Sequence, residues 1–307
     1  MRESAVKKIL DEYSMLVVRL AETGTRADML LRELLDQQHL RIHSVSHRVK
    51  EENSLVRKLN KPGSKYRKVN DIKDLLGLRI ITYFPDDVDR VGRVIEQQFD
   101  VDSSNSIDRR ATLDPDRFGY LSLHYVAAFS ADRLRLPEYS RFSSINFEIQ
   151  VRSILQHAWA EIEHDLGYKT ESSIPRAVRR RFSRLAGLLE VADSEFLAIR
   201  NELIAYQNAV EETVTSDPGS TLIDRESIMA FIHSNDLVRE LDKAVAKAAQ
   251  SYINDEREPH SHLAAELQGV GLETISDVER ALEQEKTKLV PFARLWWSVP
   301  EWEDQAP

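Results

Sequence analysis

Two carboxylates are the groups in this sequence best placed to do chemistry. Asp74 stands just ahead of an apolar run, Leu75-Leu76-Gly77-Leu78-Arg79, and Glu148 sits inside Phe147-Glu148-Ile149-Gln150-Val151-Arg152. A charge next to a buried strand is costly without a partner. A metal ion for Asp74 and a nucleotide for Arg79 would answer both costs; the plain alternative is a solvated Asp in a turn and an Arg at a sheet edge. Alternation along the second segment puts Glu148, Gln150 and Arg152 on one face. Three consecutive polar positions are more than a buried sheet tolerates without a ligand.

Two further segments could serve the same site. In His47-Arg48-Val49-Lys50, Ser54 and Arg57-Lys58, a helix over about 44–59 would align Lys50, Ser54 and Arg57 at spacings of four and three. An ammonium, a hydroxyl and a guanidinium on one stripe suit a polyphosphate, although a solvated basic face has the same pattern. In Gly119-Tyr120-Leu121-Ser122-Leu123-His124, alternation aligns Tyr120, Ser122 and His124. That set could stack a base and bind sugar or phosphate, or simply face solvent. After Arg152 a helical stripe carries His157, Glu161, His164 and Tyr168, with Ile154, Ala158, Trp159, Ile162 and Leu166 as its packed side. His157, Glu161 and His164 could supply three metal ligands, but the His-Glu-x-x-His spacing of zinc hydrolases is missing.

These segments need elements to hold them. Apolar spacing predicts helices over 4–22 and about 26–40 before the helix at 44–59, which stops at Asn60-Lys61-Pro62-Gly63. Residues 78–84, 120–129 and 145–151 read as strands and 88–99 as a helix, with a long loop at 103–118. Helices return at 154–168 and 174–210, then a linker at 213–221, then short helices at 225–234, 236–253 and 276–284. The expected fold is α+β: a small mixed β-sheet wrapped by helices, with an extra helical C-terminal unit. The expected divisions are 1–40 (N-terminal helices), 41–212 (core) and 222–307 (acidic helical unit), the last containing Trp296, Trp297 and Trp302.

Composition narrows the setting. The 307 residues are 42% hydrophobic and 30% charged, with no cysteine, which excludes disulfides, thiolate metal sites and a cysteine nucleophile. No window is apolar enough for a membrane span and the first residues do not resemble a secretory signal, so a cytoplasmic location is expected. The net charge of −9 conceals 11 basic against 4 acidic residues over 41–80, and 9 against 21 over 201–307. A basic patch in an acidic chain suits a few small phosphates better than a long polyanion.

Taken in order, Asp-x-x-Gly-x-Arg (74–79), Gly-Tyr-x-Ser-Leu-His (119–124), Glu-Ile-Gln-Val-Arg (148–152) and His-Ala-Trp-Ala-Glu-x-Glu-His-Asp-Leu-x-Tyr-Lys (157–169) resemble the synthetase domain of the RelA/SpoT family. The resemblance covers about residues 40–170. It implies a nucleotidyltransferase-like core that makes (p)ppGpp, moving a pyrophosphate from ATP to the 3′-hydroxyl of GDP or GTP. Asp74 and Glu148 would hold Mg²⁺, and Glu148 would take the acceptor's proton. Arg48 and Arg79 would sandwich the adenine, and Lys50, Ser54 and Lys58 would hold the ATP phosphates. Tyr120 would stack on the guanine, Gln150 and His157 would lie near the acceptor nucleotide, and His124 near its phosphates.

No hydrolase motif precedes the matched region, so the expectation is a small synthetase without product hydrolysis. Two alternatives stand beside it. Arg176, Arg179, Arg180, Arg181 and Arg184 could guide tRNA to a synthetase that modifies its 3′ end, or the fold could be a degenerate nucleotide-binding module. The C-terminal helices are a candidate surface for a second copy or a protein partner.

Overall fold

The computed structural model describes residues 2–64, 66–108, 122–168, 175–253 and 260–296. The chain divides into two compact units, Met1–Ala198 and Ile199–Pro307, so the division falls before the expected linker. The helix of residues 176–216 runs through the first part of that linker.

The first unit opens with one helix, α1 (Arg2–Gln37), where the sequence suggested two. Its buried stripe, Ile9, Tyr13, Leu20, Ala27, Leu31 and Leu35, packs on the sheet. Gly24 does not break the helix; a Cβ there would meet the His47 ring at 2.6 Å. The glycine is thus a close-approach site for the neighbouring strand.

That strand is the main correction to the sequence reading. Residues 42–49 form β1 (Ile42–Val49), and the helix that follows, α2 (Glu52–Asn60), is short. Lys50 lies between them, so it does not share a helix face with Ser54 and Arg57. Antiparallel pairing with β2 (Leu76–Thr82) supplies the backbone bonds that a helix would have made internally. From α1, the Arg32 guanidinium donates to the Val45 carbonyl, and Asp28 holds both Arg32 (2.6 Å) and His47 (3.0 Å).

After β2 comes α3 (Pro85–Gln98), with Pro85 in its first turn and Asp86 and Asp87 at its positive end. Short strands β3 (Phe99–Val101) and β4 (Ile107–Asp108) follow; β4 falls inside the stretch expected to be loop. Next are β5 (Leu123–Phe129), the one-turn helices α4 (Ala131–Leu134) and α5 (Pro137–Ser140), and β6 (Phe147–Ser153). The sheet runs β1-β2-β6-β5-β3, with β4 also on β5; β2 and β6 are parallel, and the other pairings among the described residues are antiparallel. Helices α1 and α3 pack on one face, over Val45, Leu78, Ile80, Ile149 and Val151, and Phe99, Phe129, Phe142 and Phe147 fill one end of the core. The opposite face carries the polar residues.

Helix α6 (Ile154–Tyr168) begins directly after β6, and α7 (Arg176–Ser216) follows. The apolar side expected to pack on α6 does so in part: Ile154 and Trp159 are half-buried, as is His157, but Ala158, Ile162 and Leu166 are exposed. Helix α6 contacts β6 and β2 of the sheet. Ser153, at the end of β6, donates to Asp193 on α7 at 2.7 Å, both side chains being buried.

The second unit has its own core of Val210, Val214, Ile223, Ile228, Phe231, Ile275 and Val278. These come from the end of α7, from α8 (Arg225–Ser234) and α11 (Ile275–Trp296) and, for Ile223, from the segment between α7 and α8, with α9 (Asp236–Ala248) and α10 (Leu263–Gly269) completing the unit. Asp224 and Asn235 cap α8 and α9 by accepting from backbone N–H groups. Among the described residues no helix is long and apolar enough to cross a membrane. Trp297 and Trp302 lie outside the described residues.

Candidate functional site

Strand register builds the site on the open face of the sheet. One cross-strand row is Arg48, Gly77, Glu148 and Val126; the next is Ser46, Arg79, Gln150 and His124. Residues two apart on β1 and β6 therefore fall in neighbouring rows on the same side. Gly77 leaves a gap between Arg48 and Glu148, since a Cβ at that position meets nothing within 4 Å. The result is a cleft of about 510 Å³ over the strands.

Seven residues expected from the sequence line this cleft: Arg48, Lys50, Ser54, Asp74, Arg79, Glu148 and Gln150. Lys58 reaches Asp74 from α2, and His124 reaches Glu148 from β5, so both adjoin it. His157 approaches through Glu161, at 3.7 Å. Tyr120 lies outside the described residues. Ser46 also lines the cleft; sequence reading missed it because a serine two before Arg48 acquires meaning only on a strand.

Asp74 sits in the turn before β2, where the backbone N–H of Lys50 donates to the Leu75 carbonyl at 2.8 Å. That bond brings the ends of β1 and β2 together. Lys58 Nζ lies 2.7 Å and Lys50 Nζ 3.2 Å from the Asp74 carboxylate. Burial pushes the Asp74 carboxyl up, but the bonds and charges of Lys58 and Lys50 outweigh it and hold the group below its ordinary range. Burial likewise works against the charge on Lys58, and Asp74 and Tyr66 more than restore it.

Glu148 is treated the same way by different neighbours. His124 Nδ1 donates to its Oε1 at 2.8 Å and Gln150 Nε2 to its Oε2 at 3.2 Å. Burial raises the carboxyl, His124 and Gln150 lower it further than burial raises it, and the charge of Asp74 pushes it up again; the net direction is down. Arg152 donates to Gln150 Oε1 at 2.7 Å, which orients that amide. His157 is held neutral to lower pH than usual, first by burial and then by the charges of Arg152 and Arg79.

Two carboxylates that feel each other across one cleft, ringed by cations, suit a hard divalent cation with a polyphosphate. Mg²⁺ takes one or two protein carboxylates and completes its shell with phosphate oxygens and water. The donor set of Asp74 and Glu148 fits that demand. Among the described residues no group of three or more His, Cys, Asp and Glu could hold a metal. The three-ligand reading of His157, Glu161 and His164 is thereby corrected: Glu161 instead pairs with Arg79 at 2.9 Å.

Residues 47–173 match the family model of the region found in RelA / SpoT proteins, and every expected site residue falls inside that stretch. Over 175 residues the chain is 29% identical to GTP pyrophosphokinase YjbM of Bacillus subtilis, covering 57% of this chain and 79% of that protein. To GTP pyrophosphokinase YwaC of the same species it is 29% identical over 168 residues, or 54% and 77% of the two chains. The structure also resembles the crystal structure of small alarmone synthetase 1 from Bacillus subtilis bound to its product pppGpp. The TM-score is 0.54 at 25% identity, over 63% of this chain and 99% of that one.

Proposed function

We propose that this chain is a small (p)ppGpp synthetase that transfers the β,γ-pyrophosphate of ATP to the 3′-hydroxyl of GDP or GTP, releasing AMP. The observation that carries the reading is the convergence of Asp74 and Glu148 on one cleft whose other walls are Arg48, Lys50, Arg79 and Gln150. Transfer of this kind needs positioning and charge neutralisation more than covalent chemistry by the protein. Lys50 and Lys58 place positive charge where the ATP phosphates would lie, and Ser54 adds a hydroxyl beside them. Arg48 and Arg79 offer planar guanidinium faces to the adenine.

Glu148 is the group that accepts the 3′-hydroxyl proton. Its depressed carboxyl is fully ionised at neutral pH, and His124 and Gln150 fix its orientation. Asp74 and Glu148 would hold Mg²⁺, which when bound neutralises phosphate charge and acidifies the attacking hydroxyl. His124, Gln150, His157 and Tyr120 remain the assigned contacts of the acceptor nucleotide. The presence of both carboxylates in one cleft weighs against a degenerate binding module.

A second acceptor is worth offering because Arg176, Arg179, Arg180, Arg181 and Arg184 are all exposed at the start of α7. The test supplies ATP labelled in the β-phosphate with GMP, GDP, GTP and deacylated tRNA in parallel. The reading expects label on the guanine nucleotides and AMP as co-product. Label on tRNA alone would replace the acceptor, and label on nothing would overturn the activity.

A further inference from the structure

The cations of the cleft fall into two groups with different counter-charges. Lys50 and Lys58 share Asp74 at one end. Arg79, one row further along the sheet, is met from α6 by Glu161, whose Oε1 lies 2.9 Å from Arg79 Nη1 and 3.7 Å from His157 Nδ1. Glu161 lies outside the rows of the sheet. It arrives because α6 starts directly after β6 and passes over β2.

The two groups are not equivalent to an incoming nucleotide. A guanidinium carries its N–H donors in its plane and leaves both faces free, so an in-plane carboxylate is compatible with a base stacked on the face. With its charge matched, Arg79 is a poorer partner for phosphate. The ammonium groups at Asp74 are strongly hydrated point charges that can turn to phosphate oxygens. We propose that Glu161 is a positioning residue that sets the polarity of the nucleotide: it neutralises and orients Arg79, reserving that side chain for the base, and leaves the phosphates to Lys50 and Lys58. The proposal rests on the ATP reading above for the identity of the nucleotide. The Glu161 side chain is 52% exposed, so the pair adds little to stability and its consequence is local.

The test compares wild type with Glu161→Gln and Glu161→Asp by calorimetric titration with ATP and with inorganic tripolyphosphate, alongside steady-state kinetics and thermal melting. Freed of its partner, Arg79 becomes a second phosphate site. Tripolyphosphate should therefore bind Glu161→Gln roughly three- to tenfold more tightly, while ATP binds it less tightly and its KM rises by a similar factor. The melting temperature should stay at the wild-type value, and Glu161→Asp should recover part of the contrast. A merely structural role would weaken both ligands together; that result, or no change in either, overturns the proposal. Failure of the wild type to make a pyrophosphorylated product would sink the reading of the reaction, whereas the opposed shifts of the two ligands would still decide the role of Glu161.

Discussion

His124 on β5 gives its Nδ1 proton to Glu148 on β6, at 2.8 Å, although the register pairs His124 with Gln150. The bond is diagonal, from one cross-strand row to the next. It leaves Glu148 with a donor on each carboxylate oxygen, His124 on one and Gln150 on the other. A base held in this way has a fixed direction and a depressed affinity for its proton.

Removing that donor changes the acid side of the pH profile. In His124→Ala, burial still pushes the Glu148 carboxyl up while the largest opposing influence is gone, so the group retains its proton to higher pH. Measured as kcat/KM from about pH 5 to about pH 9, the acid limb should move to higher pH, with a smaller loss on the alkaline side. The stability sign is consistent. A depressed carboxyl stabilises the fold above its ordinary 4.5 and ceases to do so as pH falls through its lowered value. An acid limb that stays in place would refute the link between the two residues.

Gly77 offers a cleaner separation of folding from binding. A Cβ there meets nothing within 4 Å, and valine favours strands, so Gly77→Val should melt within about 2 °C of wild type. Its methyl groups would occupy the gap between Arg48 and Glu148, and the KM for ATP should rise by roughly tenfold or more through lost positioning. A variant with ordinary ATP kinetics would show that the nucleotide does not lie over this strand.

Asp193 gives a second pH test, this time of stability. It is 5% exposed, and burial raises its carboxyl more than the Ser153 bond lowers it. A raised folded value contributes stability at acid pH that disappears as pH rises through it. Asp193→Asn should therefore melt higher than wild type at neutral pH, with the advantage vanishing below the ordinary 3.8. Ser153→Ala removes the carboxylate's donor and should cost about 1–3 kcal/mol in denaturant unfolding. The opposite sign for Asp193→Asn would show that the ionised carboxylate is the favoured form.

Much of the fold and site could be read from the sequence because strand alternation is a strong signal where one face is buried. In β6 the buried Ile149 and Val151 alternate with Glu148 and Gln150, and the polar face was evident before any register was known. β1 gave no such signal. His43, Ser44, Ser46, His47 and Arg48 are polar on both faces, and what makes the segment a strand is its pairing with β2, far along the chain. The cost of that misreading was specific: on a helix Arg48 and Lys50 diverge, whereas the structure places both at one cleft. Gly24 is a poor helix former, yet α1 runs through it and the structure uses it to admit His47. The lysine pair on Asp74 and the Glu161–Arg79 pair are tertiary contacts with no local spacing to announce them.

The most direct test of the whole account is the rate of pyrophosphate transfer from ATP to GDP by Glu148→Gln. The amide keeps the size of the side chain and can still bond to His124, so the fold should survive and the melting curve should confirm it. Without a base, kcat should fall by at least about a hundredfold. A rate within a few-fold of wild type, from protein with a native melting curve, would contradict the assignment of Glu148 and with it the mechanism built on this cleft.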